Sequence, residues 1–484
     1  MSCEQVTHTR FEGHPYTHLF SSPAGAVIFR VDAMQQVVCS PRGAELARAA
    51  LSGERSPEAL PAQVREVLWG EPADPPVAPE GAGGPARDYT HTLYLMPTLD
   101  CQLRCGYCRI TRRPGRQAGW QMTPEFARAA VDRVFAQGTS QGRRTVVFFG
   151  GEPLLARDTV LSAITHIRAG PERDNTDITL QTNGIAVDEV TAEFLAANDV
   201  FVLASIDGVR EVHDSHRRFS TGEGSYEASV AGYHRAKRAG CRVGISATLT
   251  AETAEGFVES FEEMLDGLAP DECGVGTHLH PLASGRSPHQ ASPEAAAHVL
   301  TATYAAARQR GVFHQQMCQR LEPIVKGTWR RYACAGCAGK VVVAPNGEAG
   351  VCEYNASEGR SYVPLDEFSP DTAPDLTRWA GRSPLNVREC LACPALPTCG
   401  GGCAYDSQEI LGDALRFDPW LCETNVRIVG WAMQDLFAHL QGRLRDGDFH
   451  VVTPQERAGL LGRISLDRRT PGPRVADGDR CLAG

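Results

Sequence analysis

No stretch of eighteen consecutive apolar residues occurs in the chain, which argues against a simple membrane-spanning helix. The opening MSCEQVTHTR lacks a basic start followed by an apolar segment, so it does not read as a secretory signal. A block of lysine and arginine is missing too. The 48 basic residues are scattered, the net charge is −10, and no electrostatic footprint for nucleic acid emerges. These absences predict a globular protein that stays in the cytoplasm, with neither membrane nor nucleic acid as partner. At 484 residues and 42% hydrophobic composition there is material for two or three domains with their own cores. Cysteine, by contrast, is plentiful, at 17 residues. Cytoplasmic thiols are kept reduced, so that number reads as metal ligation before it reads as disulfides.

Residues 100–110 read DCQLRCGYCRI and place Cys101, Cys105 and Cys108 with three and two residues between them. A tetrahedral zinc site would want a fourth ligand close by, and the next cysteine is Cys241. A 4Fe-4S cluster held by three thiolates leaves one iron open, which the amine and carboxylate of a small molecule can chelate. A chance group of structural cysteines, or a zinc knuckle, is the competing reading of the triplet alone. This CxxxCxxC spacing, with Tyr107 before the last cysteine, resembles the signature loop of the radical S-adenosylmethionine (SAM) superfamily. The resemblance implies that the open iron holds the methionyl end of SAM. An electron from the cluster then cleaves the sulfonium to a 5'-deoxyadenosyl radical.

The surrounding pattern predicts alternating strands and helices. A short buried strand at 92–95 delivers the cysteine loop just past its C-terminal end, where open sites of parallel α/β sheets lie. Thr123, Pro124 and Glu125 start a helix, with Thr123 as N-cap and proline at the first helical position. The next strand, 146–149, runs into Gly150, Gly151, Glu152 and Pro153. Two glycines let the backbone approach a ligand, and a carboxylate or carbonyl there can accept from an ammonium group. Alone this is an ordinary turn; one strand-helix unit after the cysteines, GGEP resembles the superfamily's motif for SAM's amino group. Strands follow at 177–181, 200–205, 243–249 and 275–281, each ending in polar residues. Such alternation fits a parallel barrel whose strand ends line one mouth. The predicted fold is α/β, a partial (β/α)6 TIM-like barrel. By resemblance, Thr182, Asn183 and Ser205 contact the ribose and carboxylate of SAM, and Arg217 in EVHDSHRRF takes the carboxylate, a task that suits its planar fork. A plain turn is the competing reading of Asp207 and Gly208, and the one that holds for Gly208. His278 and His280 alternate onto one strand face and either line the substrate cavity or are structural.

Before the barrel, residues 1–70 predict a small α+β domain with apolar strand runs at 27–31 and 37–38 and helices at 45–51 and 61–68. This pattern resembles the peptide-recognition element fused to many maturases of ribosomally made peptides, in which a leader peptide adds as a strand to a sheet edge. A domain that merely packs on the catalytic body is the competing reading. Residues 71–88, rich in proline and glycine, read as a linker. The barrel is expected over 89–320, with one long helical stretch at 293–319, a cysteine-rich domain over 321–440, and a tail over 441–484.

The cysteine-rich region carries Cys334, Cys337, Cys352, Cys390, Cys393, Cys399, Cys403 and Cys422, enough for two sets of four. Complete ligation suits clusters that pass electrons or hold structure. Zinc ribbons share the same ligands. The order, with Gly347 between Cys337 and Cys352, is similar to the SPASM extension of anaerobic sulfatase maturases, quinone-cofactor maturases and thioether-forming peptide maturases. The resemblance implies one auxiliary 4Fe-4S cluster on Cys334, Cys337, Cys352 and Cys403 and a second on Cys390, Cys393, Cys399 and Cys422. It also sets Glu353 where sulfatase maturases carry an aspartate base, so Glu353 is a candidate base if substrate lies within hydrogen-bond reach; a cluster-orienting role is the alternative. Cys3, Cys39, Cys241, Cys273, Cys318 and Cys481 have no spacing partner and read mostly as small buried hydrophobes.

Together these features predict a radical SAM peptide maturase with a SPASM domain. Its cofactors would be SAM and three 4Fe-4S clusters, one of them SAM-binding and two auxiliary. Its partners would be a precursor peptide and an electron donor such as flavodoxin or ferredoxin. The product would be a thioether or cyclophane-type crosslink or a similar oxidation. The alternatives are a formylglycine-generating anaerobic sulfatase maturase and a zinc-stabilised binding protein without catalysis.

Overall fold

The computed structural model describes residues 6–71, 92–112, 119–137, 143–281, 285–337, 339–356, 360–369 and 373–458. The linker expected from residue 72 on, Cys3, Cys481 and the tail beyond residue 458 lie outside the described residues. No helix among the described residues is long and apolar enough to cross a membrane.

The chain starts with an antiparallel meander of β1 (Thr7–Phe11), β2 (His14–Ser22), β3 (Gly25–Arg30) and β4 (Gln35–Cys39). Side chains alternate across a strand, so β3 can serve two cores. Ile28, with Leu19 and Val37, packs against Ala47 and Leu51 of helix Pro41–Leu51 and against Val64, Val67 and Leu68 of helix Ala62–Trp69. Val27 and Phe29 point the other way, into the main core that also holds Met433, Leu436 and Phe437 of helix Pro419–Leu440. The N-terminal sheet is thus clamped between its own helices and a helix from the far end of the chain. β1 carries no apolar run, which is why sequence patterning passed over it; its hairpin with β2 forms it.

The central sheet is parallel through β5 (Thr92–Leu95), β6 (Arg144–Phe148), β7 (Thr176–Thr182), β8 (Val200–Ala204), β9 (Val243–Thr248) and β10 (Glu272–Gly276), hydrogen-bonded in sequence order. Helices cross over between successive strands from β5 to β10. The partial six-stranded barrel read from the alternation is what forms. β10 ends earlier than expected, so His278 and His280 stand on the loop beyond it and not on a strand. The expected long helix is two, Pro293–Gln309 and Gln315–Lys326, parted at Gly311 and at β11 (Phe313–His314), which adds to β10.

β12 (Lys340–Val343) pairs in parallel with β5, and β13 (Glu348–Gly350) and β14 (Val363–Pro364) continue the sheet antiparallel. The cysteine-rich region therefore extends the barrel's own sheet. A boundary at residue 320 separates chain segments but not sheets. The expected tail is corrected in part as well. β15 (Phe449–Val451) returns to pair with β4, Phe449 opposite Cys39 and Val451 opposite Val37, and Ser40 bonds Asp448 through both its backbone and its hydroxyl. The strand covers an edge that would otherwise stay unpaired.

His314 caps the helix that follows it, its Nδ1 accepting from Met317 N at 3.4 Å while Nε2 pairs with Thr303 Oγ1 at 3.2 Å. Complete burial holds the ring's pKa at about 3. The unfolded chain takes up a proton near pH 6.5 that the folded chain refuses, so this contribution is intact above pH 6.5 and is lost as the pH falls, by up to about 1.4 kcal/mol per pH unit. His314→Asn keeps a capping acceptor. Urea unfolding between pH 6.5 and 4 should show a slope shallower by about one proton in that variant; an equal slope would contradict the assignment.

Candidate functional site

At the C-terminal ends of β5 to β10 the loops enclose a cavity of about 320 Å³. Cys101, Tyr107, Cys105 and Cys108 line one side, Gly150, Gly151, Thr182, Asn183, Ser205 and Arg217 another, and His278, His280 and Tyr354 a third. A larger void of about 870 Å³ lies elsewhere, among Arg143, Arg168, Asp177 and Arg242, and no cysteine lines it.

The cysteine loop is held by backbone and side-chain donors aimed at sulfur. Cys101 Sγ accepts from Leu103 N at 3.4 Å and Asn183 Nδ2 at 3.7 Å, and Cys108 Sγ accepts from Thr111 N at 3.4 Å. Burial pushes the Cys101 thiol up to about 11 and Cys105 to about 12. Bare thiols at Cys101 and Cys105 would stay protonated, so as thiolates they require a cation to balance them. Three converging sulfurs with N–H donors around them fit an iron-sulfur group, and the described cysteines are all free of disulfides.

The GGEP run divides its labour. A Cβ on Gly150, whose φ is +135°, or on Gly151 would strike the carbonyls of Thr98 and Asp100, so only glycine lets this backbone lie along the cavity. Glu152 is fully buried behind it. One oxygen accepts from Thr182 Oγ1 at 2.8 Å and Leu154 N at 3.1 Å, the other from Asn183 N at 2.8 Å. Its carboxylate joins the end of β6 to the end of β7, and a ligand ammonium would face the glycine backbone. Pro153 opens the short turn Pro153–Ala156 and is likewise buried.

Asp207, given no role from sequence, is the junction of the site. Oδ2 accepts from Tyr107 Oη at 2.5 Å and Arg217 Nε at 2.8 Å, and Oδ1 accepts from Thr248 N at 2.9 Å. The Arg217 guanidinium also lies 5.5 Å from the Tyr107 ring centroid. One carboxylate thus fixes the cysteine loop, the candidate carboxylate-binding arginine and the end of β9. Its place at the end of β8 was the available signal, since barrel strand ends carry function.

Asp406 was also missed. It is 1% exposed, pairs with His280 Nδ1 at 2.8 Å and with His278 Nε2, and its Oδ lies within 4.8 Å of Cys403 Sγ and a His280 ring nitrogen. Although burial opposes ionisation, the two imidazoles hold its carboxyl far below the usual range. His280 also packs on Tyr354, ring centroids 3.8 Å apart. Glu353 does not line the cavity. It is bonded to the buried ammonium of Lys340, which, against the effect of burial, keeps the carboxyl below its ordinary pKa.

The eight later cysteines fall into two groups. Besides burial, Cys390 feels the nearby sulfurs of Cys393, Cys399 and Cys422, and its thiol is raised to about 12. Cys403 feels those of Cys334 and Cys352, and Cys337, raised to about 12, that of Cys334. Gly336 N donates to Cys334 Sγ at 3.3 Å. Of the remaining cysteines, Cys39, Cys241, Cys273 and Cys318 are buried in apolar surroundings.

Residues 95–264 match the Radical SAM superfamily. Among curated relatives, a Cysteine-type anaerobic sulfatase-maturating enzyme of Clostridium perfringens is 31% identical over 24% of this chain and 33% of its own length. The Radical SAM cyclopropyl synthase TigE of Paramaledivibacter caminithermalis is 20% identical over 68% of this chain and 71% of its own. Several curated matches span no more than one third to two thirds of the relative's length. Of solved structures, histidine-tagged anSMEcpe with bound AdoMet aligns with TM-score 0.62 at 20% identity, over 77% of this chain and 98% of the other. Streptococcus suis SuiB bound to precursor peptide SuiA aligns with TM-score 0.52 at 16% identity, over 69% and 76%.

Removing Asp207 leaves Arg217 buried without its anion. Asp207→Ala should therefore cost about 3–5 kcal/mol of stability in denaturant titrations. Adding Arg217→Met should restore part of the loss; a double variant no more stable than Asp207→Ala would show that the pair is not coupled.

Proposed function

We propose that this chain, which carries a radical SAM domain over residues 95–264, is an enzyme that abstracts hydrogen from a ribosomally made precursor peptide to form a crosslink or a similar oxidation. The observation that carries the reading is the convergence of Cys101, Cys105 and Cys108 with Gly150, Gly151 and Arg217 on one cavity. When bound there, a 4Fe-4S cluster with one open iron and SAM would supply a 5'-deoxyadenosyl radical. The three cysteines hold the cluster. The Gly150–Gly151 backbone faces the SAM ammonium. Arg217, fixed by Asp207, takes its carboxylate together with Ser205, and Thr182 and Asn183 border the ribose. Glu152 acts behind these groups by locking two strand ends together.

His278, His280 and Tyr354 form the wall on which the peptide would rest. A radical generated here is indiscriminate, so selectivity depends on holding the target atom close and keeping water out. The sets Cys334, Cys337, Cys352, Cys403 and Cys390, Cys393, Cys399, Cys422 would hold auxiliary 4Fe-4S clusters that accept the electron left as the product forms. Flavodoxin or ferredoxin is the proposed reductant. Glu353, bonded to Lys340 and not among the residues that line the cavity, braces the Cys352 loop in this reading, with the role of base as the alternative. A peptide substrate is supported by the relatives that bear peptides and by the N-terminal sheet. The likeness to anSMEcpe supports formylglycine formation as a second reading, with a sulfatase peptide in place of the precursor.

Anaerobically iron-loaded protein given SAM and dithionite should form 5'-deoxyadenosine, and Cys105→Ala should drop to background. Absence of product from the wild-type protein refutes the reading. With a peptide encoded beside the gene, mass spectrometry should find the loss of two hydrogens. Conversion of a sulfatase peptide alone would favour the second reading. Glu353→Gln should still yield 5'-deoxyadenosine and product, while unfolding at lower denaturant; loss of product with 5'-deoxyadenosine retained would return the base role to Glu353.

A further inference from the structure

A second constellation of ligating side chains stands outside the cavity, against the outer side of the cysteine loop. His216 ends helix Arg210–His216, Glu252 lies on the loop after β9 and His289 on the loop after β10. None of the three lines the cavity or belongs to a cysteine set. His289 Nδ1 is 2.6 Å from Glu252 Oε1, and His216 Nε2 is 3.7 Å from Glu252 Oε2. One donor atom from each residue lies within 4.8 Å of the others, and Thr250 Oγ1 sits 3.0 Å from His216 Nε2. The two imidazole planes stand nearly perpendicular, at 79°, with centroids 5.3 Å apart.

We propose that His216, Glu252 and His289 form a mononuclear divalent-metal site of the zinc class. Two imidazoles and one carboxylate are a donor set zinc takes up with a fourth position left to water. The side chains are 10%, 50% and 27% exposed for His216, Glu252 and His289, enough for an ion to enter without unfolding.

The site's position gives it a task. His216 O accepts from Gly106 N at 3.2 Å, and a Cβ on Gly106 would come within 2.8 Å of His216 Nδ1, so the ring is pressed against the loop between Cys105 and Cys108. The Tyr107 and His216 ring centroids are 5.6 Å apart. An ion here would tie the loops after β9 and β10 to the segment that carries Arg217. It would brace the cavity from behind without touching what binds inside. The site does not depend on which reaction the cavity performs.

The test uses full-length protein, purified without oxygen and iron-loaded so that its cysteines are taken, then incubated with zinc chloride and desalted. About one zinc per chain should remain, with nitrogen and oxygen neighbours and no sulfur at the zinc K-edge. His289→Ala and Glu252→Gln should each weaken zinc retention by more than the roughly 10–100-fold that loss of an outer-shell partner costs, with iron content unchanged. No retained zinc in the wild-type protein overturns the proposal. So does a zinc shell containing sulfur, or equal retention in both variants. Should a variant lose iron as well, the wild-type edge spectrum decides the matter.

Discussion

Buried sulfur cannot carry its charge alone, and that constraint organises the structure. Cys101, Cys105, Cys337, Cys390 and Cys403 are raised by burial and in part by neighbouring sulfurs. Groups of like-charged thiolates in a poorly solvated interior are unfavourable until a cation is placed among them. The fold must therefore hold the sulfurs in position before any cation is placed among them. It does so by continuity of the sheet. β12, between Cys337 and Cys352, bonds β5, whose C-terminal end launches the Cys101 loop. Two cysteine groups far apart in sequence are thus fixed to neighbouring strands of one sheet, with no interdomain hinge between them.

The same economy appears in the carboxylates. Glu152, Asp207 and Asp406 are each nearly inaccessible, and each spends its oxygens on groups from separate segments. Glu152 joins the ends of β6 and β7, Asp207 joins the cysteine loop, Arg217 and β9, and Asp406 joins the loop after β10 to the helix that follows Cys403. Buried anions of this kind are stabilising only while every partner is present. That makes the cavity a preorganised one: its walls are set by internal partners before any ligand enters, so little binding energy goes to ordering them.

How much of this was legible in the chain follows from what each signal depends on. Cysteine spacing is local, and the triplet at Cys101, Cys105 and Cys108 could be read at once. The parallel strands were legible because both of their faces are buried, which leaves short apolar runs ending in polar residues. Asp207 and Asp406 were not, because their importance lies in partners 10 to 126 residues away and their own neighbours, Gly208 or Tyr405, say nothing of it. Glu152 was read as facing a ligand since its motif does not reveal that Thr182 and Asn183 reach its oxygens first. β1, which is polar, and β15, which is three residues long, escaped notice because such edge strands owe their existence to the strands they pair with. His278 and His280, read as either cavity-lining or structural, do line the cavity, but from the loop beyond Gly276 and not from a strand.

The N-terminal sheet bears on how a peptide substrate could be presented. Two of its inward residues, Val27 and Phe29, share a core with Met433 and Phe437, on the same helix that carries Cys422 near its start. Packed interiors transmit displacement because they have little room to absorb it. A strand added to this sheet would consequently be placed in a fixed relation to the cysteine-rich region, not tethered loosely beside it. The choice of edge is also restricted. β15 takes the free side of β4, so among the described strands the sheet's two edges are β1 and the three-residue β15, and β1, with five residues, is the longer. His8 and Arg10 on β1 border a cavity of about 470 Å³ shared with Cys393 and Cys422, which sets that edge against the second cysteine group and away from the wall formed by His280 and Tyr354. On the proposed reading, a peptide added at that edge would have to run on and turn into the cavity, so that recognition and reaction would engage different stretches of it.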